Sequence, residues 1–146
     1  MLKVWVIGTE PPCPRCDRLV RMVEEVMQSR RDISLDHNAY DTPQAGALAE
    51  RMGKRIGTAK DVARAAGIRV DWKEVYAEIA RAQKAAGPGA QPADSWTPKL
   101  DALLKPCQEA ADGADYLMTP VLVVNGEVRH HGNVPDREQL LELLAN

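Results

Sequence analysis

No apolar run in the chain approaches the roughly 20 residues of a membrane span. Cysteine is scarce, with three in 146 residues. That is too few for a disulfide framework, and in a reducing compartment such thiols stay free unless they are catalytic or hold a metal. Charge of one sign is also missing. The formal net charge of -2 supplies no general attraction to nucleic acid or to an acidic membrane, so neither is expected as a partner. The N-terminus, MLKVWVIGTE, has one Lys before a short apolar stretch that falls below the length of a signal peptide's core, and no small-residue cleavage site follows it. A cytoplasmic monomer is the resulting expectation. There is no internal repeat and no low-complexity tract.

What is present divides into three parts. Residues 1-42 read as strand, helix, strand. Leu2 to Ile7 is apolar apart from Lys3, as in a central strand buried on both faces. From Asp17 onward Leu19, Val20, Val23, Val26 and Met27 recur at helical spacing, with Arg30 and Arg31 near the expected end. Ile33 to Ala39 alternates weakly and completes a parallel crossover unit. Residues 114-146 hold two β-rich runs around Asn125-Gly126, the pair that a two-residue hairpin prefers. A closing helix follows, with Asp136 as N-cap and Leu140, Leu141 and Leu144 on its apolar face. Residues 43-113 look almost wholly helical. Asp71 caps a helix bearing Trp72, Val75, Tyr76 and Ile79, and Thr97-Pro98 opens another through Leu100, Leu103, Leu104 and Cys107, which Pro106 is expected to break or kink.

The chemistry concentrates at Cys13-Pro14-Arg15-Cys16, where the first strand turns into the first helix. Two cysteines at this spacing can clamp a metal or open and close as a disulfide. A helix N-terminus favours the thiolate, and Arg15 adds a full positive charge nearby. Pro14 suits a first helical turn and stiffens the ring that a Cys13-Cys16 bond would close. Cys13 is then expected to be exposed and to attack, with Cys16 tucked beneath it to resolve. For a metal, the further ligands would have to be Cys107, His130 or His131. The two adjacent histidines point to opposite strand faces, so at most one could join. Cys107, on an apolar stripe, reads as core, with a third redox thiol as its functional alternative.

Strand, CPRC, helix, strand, then Thr119-Pro120, a hairpin and a final helix resemble the thioredoxin-like fold. TPVLVVNGEVRHHGNVPDREQLLELL is similar to the C-terminal half of the small thioredoxin-like redox-active disulfide proteins, and CPRC resembles the Cys-Pro-x-Cys motifs of glutaredoxins and disulfide oxidases. The resemblance implies an α/β chain with a four-stranded mixed sheet, βαβ then ββα, and a mostly helical insertion before the third strand. It implies a thiol–disulfide oxidoreductase with no bound cofactor, acting on a protein or small-molecule disulfide and recharged by an unidentified reductase. It also implies that Pro120 is cis and that Thr119, with Pro14, Arg15 and Pro120, contacts substrate, the backbone of Thr119 pairing with the substrate chain. The insertion, with Trp72, Trp96 and Tyr76 as core or as a roof over the cysteines, is expected to be dispensable for the elementary exchange.

One rival lies inside the insertion. GTAKDVARAAGIRVDWKEVYAEI, residues 57-79, resembles a repressor helix-turn-helix, with Lys54, Arg55, Lys60, Arg64 and Arg69 close by. Trp72, Glu74 and Glu78 suit a DNA groove badly, so the stretch is read instead as two packed amphipathic helices joined by a glycine turn.

Overall fold

The computed structural model describes residues 1-145. In chain order the elements are β1 (Leu2–Gly8), α1 (Pro14–Met27), β2 (Ile33–Ala39), α2 (Pro43–Arg51), β3 (Arg55–Gly57), α3 (Ala59–Ala66), α4 (Trp72–Ala86), α5 (Pro98–Ala111), β4 (Tyr116–Met118), β5 (Val121–Val124), β6 (Glu127–His131) and α6 (Arg137–Leu143). The main sheet runs β2-β1-β5-β6. β1 is parallel to β2 and antiparallel to β5, and β5 is antiparallel to β6.

Alternation along the strands divides the core between the two faces of this sheet. Val4, Val6, Leu122 and Val124 meet Leu19 and Val23 of α1, Leu140 of α6 and Leu144 at its C-cap. Ile7, Val121 and Val123 point the other way, onto Ala45, Leu48 and Ala49 of α2. α2 thus serves the sheet, although it lies within the stretch read as insertion. Each Leu or Val removed from water in these layers contributes about 1.5–3 kcal/mol.

The hairpin turn has Asn125 at φ 51° and Gly126 at φ 79°, the pair of positive angles that a type I′ turn requires. A bulge then places Leu122 opposite His130 and Val123 opposite Val128, so that Arg129 is the extra residue. At α6 the Asp136 carboxylate accepts from the Gln139 N–H at 2.8 Å. α1 differs from expectation at both ends. It starts at Pro14, before its apolar stripe, and stops at Met27, leaving Arg30 to pair with Asp32 at 2.7 Å rather than to serve the last turn.

The middle of the chain is not wholly helical. β3 pairs in parallel with β4, Arg55 opposite Tyr116 and Gly57 opposite Met118, as a second, two-stranded sheet. A three-residue strand has no readable alternation. α3, α4 and α5 enclose their own core of Val62, Val75, Leu100, Leu104, Cys107 and Met118. Gly67 makes the expected turn at φ 69°, but α3 and α4 both pack against α5. α5 runs through Pro106, an exposed position where the ring finds room and the helix gives up one backbone bond. Trp96 lies between this core and that of the main sheet. Tyr76 is 50% exposed and is not a core residue.

Candidate functional site

Cys13 is the N-cap of α1 and Cys16 its third helical residue. Pro14 occupies the first helical position, where no N–H is needed. The Cys13 sulfur accepts from the Cys16 N–H at 3.4 Å, and the Thr9 hydroxyl accepts from the Cys13 N–H at 2.8 Å. The two sulfurs stand 2.9 Å apart as free thiols. Cys16 is 2% exposed, tucked under as expected, while Cys13 is half-buried rather than exposed. Gly8 makes this closeness possible, since a Cβ there would lie 2.8 Å from both Cβ and Sγ of Cys16. The preceding Glu10-Pro11 bond is cis, a feature absent from the sequence reading.

The Cys13 pKa falls to about 6, first because the Cys16 thiol donates to its sulfur. Burial opposes this, while Arg15, the Cys16 N–H and Thr9 reinforce it. Cys16 moves in the other direction, well above its ordinary value, because the bond to Cys13 and burial both hold its proton. One thiol is therefore poised to ionise while its neighbour keeps its proton.

Arg15 is not a surface contact for substrate. It is 5% exposed, and its Nη1 donates to the carbonyls of Thr119 and Gly132, each at 2.9 Å. Its Nε lies 3.9 Å from Asp101 Oδ1 of α5. A planar guanidinium with several donors can hold three chain segments at once. Through it the CPRC turn is locked to the cis Thr119-Pro120 bond and to the insertion. Asp101 also accepts from Val134 N–H and from the Trp96 indole, both at 3.0 Å. Burial is the main cause of its raised pKa. Gly132, at φ 97°, has no room for a Cβ beside Gln108.

Thr119 departs from expectation too. It is 1% exposed, its N–H donates to Gly57 O of β3 at 2.9 Å, and its carbonyl is taken by Arg15. Both backbone groups that were to pair with a substrate chain are occupied from within. Pro120 is buried, and Pro14 is half-buried. Pro14 borders a groove of about 250 Å³ with Thr58, Lys60, Trp72, Tyr76 and Leu104. The Lys60 ammonium sits 5.4 Å from the Trp72 ring centre and 4.8 Å from that of Tyr76. The aromatic pair flanks the site rather than roofing it.

Cys107 is fully buried in the core of the insertion, and burial raises its pKa. His130 bonds to Asn133, while His131 accepts from Met118 N–H at 3.1 Å and faces Asp112. Both are half-buried. Among the described residues no group of three His, Cys, Asp or Glu side chains stands close enough to hold a metal ion, and no helix is long and apolar enough to cross a membrane. The sequence reading missed Thr9, Gly57, Asp101 and Gly132. Thr9 could have been noticed from its place four residues before Cys13, but the other three carry no local signal.

The sequence profile of the Thioredoxin domain matches residues 98–145, a span that begins with α5. No curated protein matches significantly. Three solved structures are similar at low identity. A periplasmic thioredoxin-like protein from Salmonella enterica serovar Typhimurium shares 14% identity over 98% of this chain and 82% of that one, with TM-score 0.41. A thioredoxin-like oxidoreductase from Silicibacter pomeroyi DSS-3 shares 15% over 97% and 83%, with TM-score 0.38. The catalytic domain of Proteus mirabilis ScsC shares 11% over 98% and 81%, with TM-score 0.39. The strand order β2-β1-β5-β6, with helices on both faces, is that of the thioredoxin-like fold, here with a helical insertion, and the matched profile covers the last third of the chain.

Proposed function

We propose that the protein is a thiol–disulfide oxidoreductase in which Cys13 attacks and Cys16 resolves. The observation that carries this reading is the pair of sulfurs 2.9 Å apart at the start of α1, one half-buried and one covered. The Cys13 thiolate attacks one sulfur of a substrate disulfide, forming a mixed disulfide and releasing the other sulfur as a thiolate that takes a proton from water. Cys16 then loses its proton to solvent and attacks the Cys13 sulfur. The Cys13-Cys16 disulfide forms and the second substrate thiolate leaves. Two electrons pass from the dithiol to the substrate, and an external thiol or dithiol reductant restores the pair. No bound cofactor takes part.

Reduction of insulin and of a small aromatic disulfide tests it. Activity should vanish in Cys13→Ser, and Cys16→Ser should accumulate the mixed disulfide. The reduction potential should lie between the roughly -270 mV of thioredoxin and the roughly -120 mV of the strongest oxidants, because lowering the pKa of the attacking thiol stabilises the reduced form. Stoichiometric metal on the reduced protein, lost in Cys13→Ser, would instead assign the pair to metal binding.

A further inference from the structure

Strand addition at Thr119 would need its N–H and carbonyl free on the same side of the chain. Here the Gly57 carbonyl holds the first at 2.9 Å and the Arg15 guanidinium holds the second at 2.9 Å. Neither partner is easily displaced. Gly57 ends β3, whose three residues are paired with β4 up to Met118, immediately before Thr119. The Arg55 N–H adds a bond to Asp115 O at 2.9 Å, and Lys54 pairs with Asp112 at 3.2 Å. On the other side of Gly57, Thr58 opens α3 in a capping box with Asp61, the Thr58 N–H donating to the Asp61 carboxylate at 2.9 Å and the Thr58 hydroxyl accepting in return. The backbone of Gly57 is itself packed tightly, since an added Cβ would fall 2.7 Å from the Tyr116 ring and 2.9 Å from Asp61. Releasing Thr119 would therefore break a ladder, strain a helix cap and uncover a buried residue. Arg15, for its part, would have to give up the buried Thr119 and Gly132 carbonyls and its ion pair with Asp101.

We infer that the insertion has taken the place of a substrate strand: β3 and Arg15 fill the backbone of Thr119, so Cys13 accepts disulfides that present their sulfur without backbone pairing, small-molecule disulfides or cysteines on exposed turns, and gains nothing from an extended chain. The inference rests on the thiol–disulfide reading and names its substrate class. Selection falls to side-chain contacts around Pro14, where the groove with Lys60, Trp72 and Tyr76 begins. The exchange itself is unchanged: the Cys13 sulfur bonds to one substrate sulfur, and the other leaves as a thiolate.

The test uses the full chain and two short extended peptides, each carrying one cysteine as a mixed disulfide with a chromogenic aromatic thiol. One peptide is unmodified, and its twin is N-methylated at the residues flanking the cysteine, which removes the N–H groups that strand addition uses. Release of the aromatic thiol is followed for both, each rate is normalised to that with a free small thiol, and the symmetrical aromatic disulfide is run beside them. The normalised rates of the twins should agree within about threefold, or both peptides should fail while the small disulfide reacts. Methylation removes the one bond in which the substrate donates, to the Thr119 carbonyl, worth about fivefold, so a methylated twin slower by more than about threefold would overturn the inference while leaving the oxidoreductase reading intact. If the small disulfide also fails to react and Cys13→Ser behaves as the parent protein does, the oxidoreductase reading falls and this inference falls with it.

Discussion

At the scale of single residues, the behaviour of Cys13 depends mainly on one neighbour. Its pKa of about 6 owes most to the Cys16 thiol, and less to the charge of Arg15. Alkylation of Cys13 followed against pH should give a midpoint near that value in the reduced protein, and Cys16→Ala should raise it more than Thr9→Ala does. A midpoint in the parent at or above the free-thiol value of about 8.5 would contradict the activated thiolate. CPRC was readable as a reactive pair from its position between an apolar strand and an amphipathic helix. The orientation of Arg15 was not. A charged residue at a helix start is exposed by default, and only the convergence of the Thr119 and Gly132 carbonyls with Asp101 makes its burial favourable.

Among the elements, α5 carries the most consequence for the site. It supplies Asp101 to Arg15 and Cys107 to the second core, and it does so with a proline in its ninth position. Pro106 is exposed, so nothing in the packing repays the backbone bond it cannot make. Pro106→Ala should therefore stabilise the protein by about 1–3 kcal/mol, a shift of the urea midpoint at constant m-value. A midpoint that stays or falls would show that the ring is part of the packing after all. The start of this helix is fixed by Thr97, whose hydroxyl accepts from the Leu100 N–H and donates to Glu78 of α4 at 2.6 Å. The N-caps of α4, α5 and α6 are local signals and were visible in the sequence. β3 was not, because its partner lies about 60 residues away and its three residues have no period.

For the whole molecule, the titrating groups combine into one pH dependence. The reduced protein holds Cys13 near 6 against an ordinary 9.0, so the unfolded chain binds the extra proton between these values and stability falls as pH drops through that window. His131 is lowered from 6.5, chiefly by burial, so it resists the proton that the unfolded chain takes up below that pH. Glu78 is lowered from 4.5 to about 2, mainly through its bonds to Arg81, then to Thr97. Its stabilising contribution is present above 4.5 and is lost towards 2. Denaturant unfolding of the reduced protein should show stability declining steadily from about pH 8.5 to 6, whereas the oxidised form, with no Cys13 thiolate, should stay level until His131 is reached. Parallel curves for the two forms above pH 6.5 would mean that Cys13 is not shifted. The insertion also changes character at this scale. Its expected dispensability conflicts with Gly57 and Asp101, which bond directly to the cis-proline turn and to Arg15, so excising it would rebuild the site rather than merely widen access.

What the sequence by itself determined is what depends on neighbours within about four positions. These are the apolar strand before CPRC, the helix caps at Asp71, Thr97 and Asp136, the Asn125-Gly126 turn, and hence the placing of the cysteine pair at a strand-to-helix turn. Each follows from capping, periodicity or turn angles that a short segment satisfies alone. Only the tertiary structure decided that Arg15 points inward, that α2 covers the sheet, and that β3 closes the edge at Thr119. The first and last turn on which buried donors and acceptors meet across 60 to more than 100 residues of chain, and the second on the apolar packing of Ala45, Leu48 and Ala49 against the sheet. A buried polar group must be paired, yet its composition alone does not say with whom.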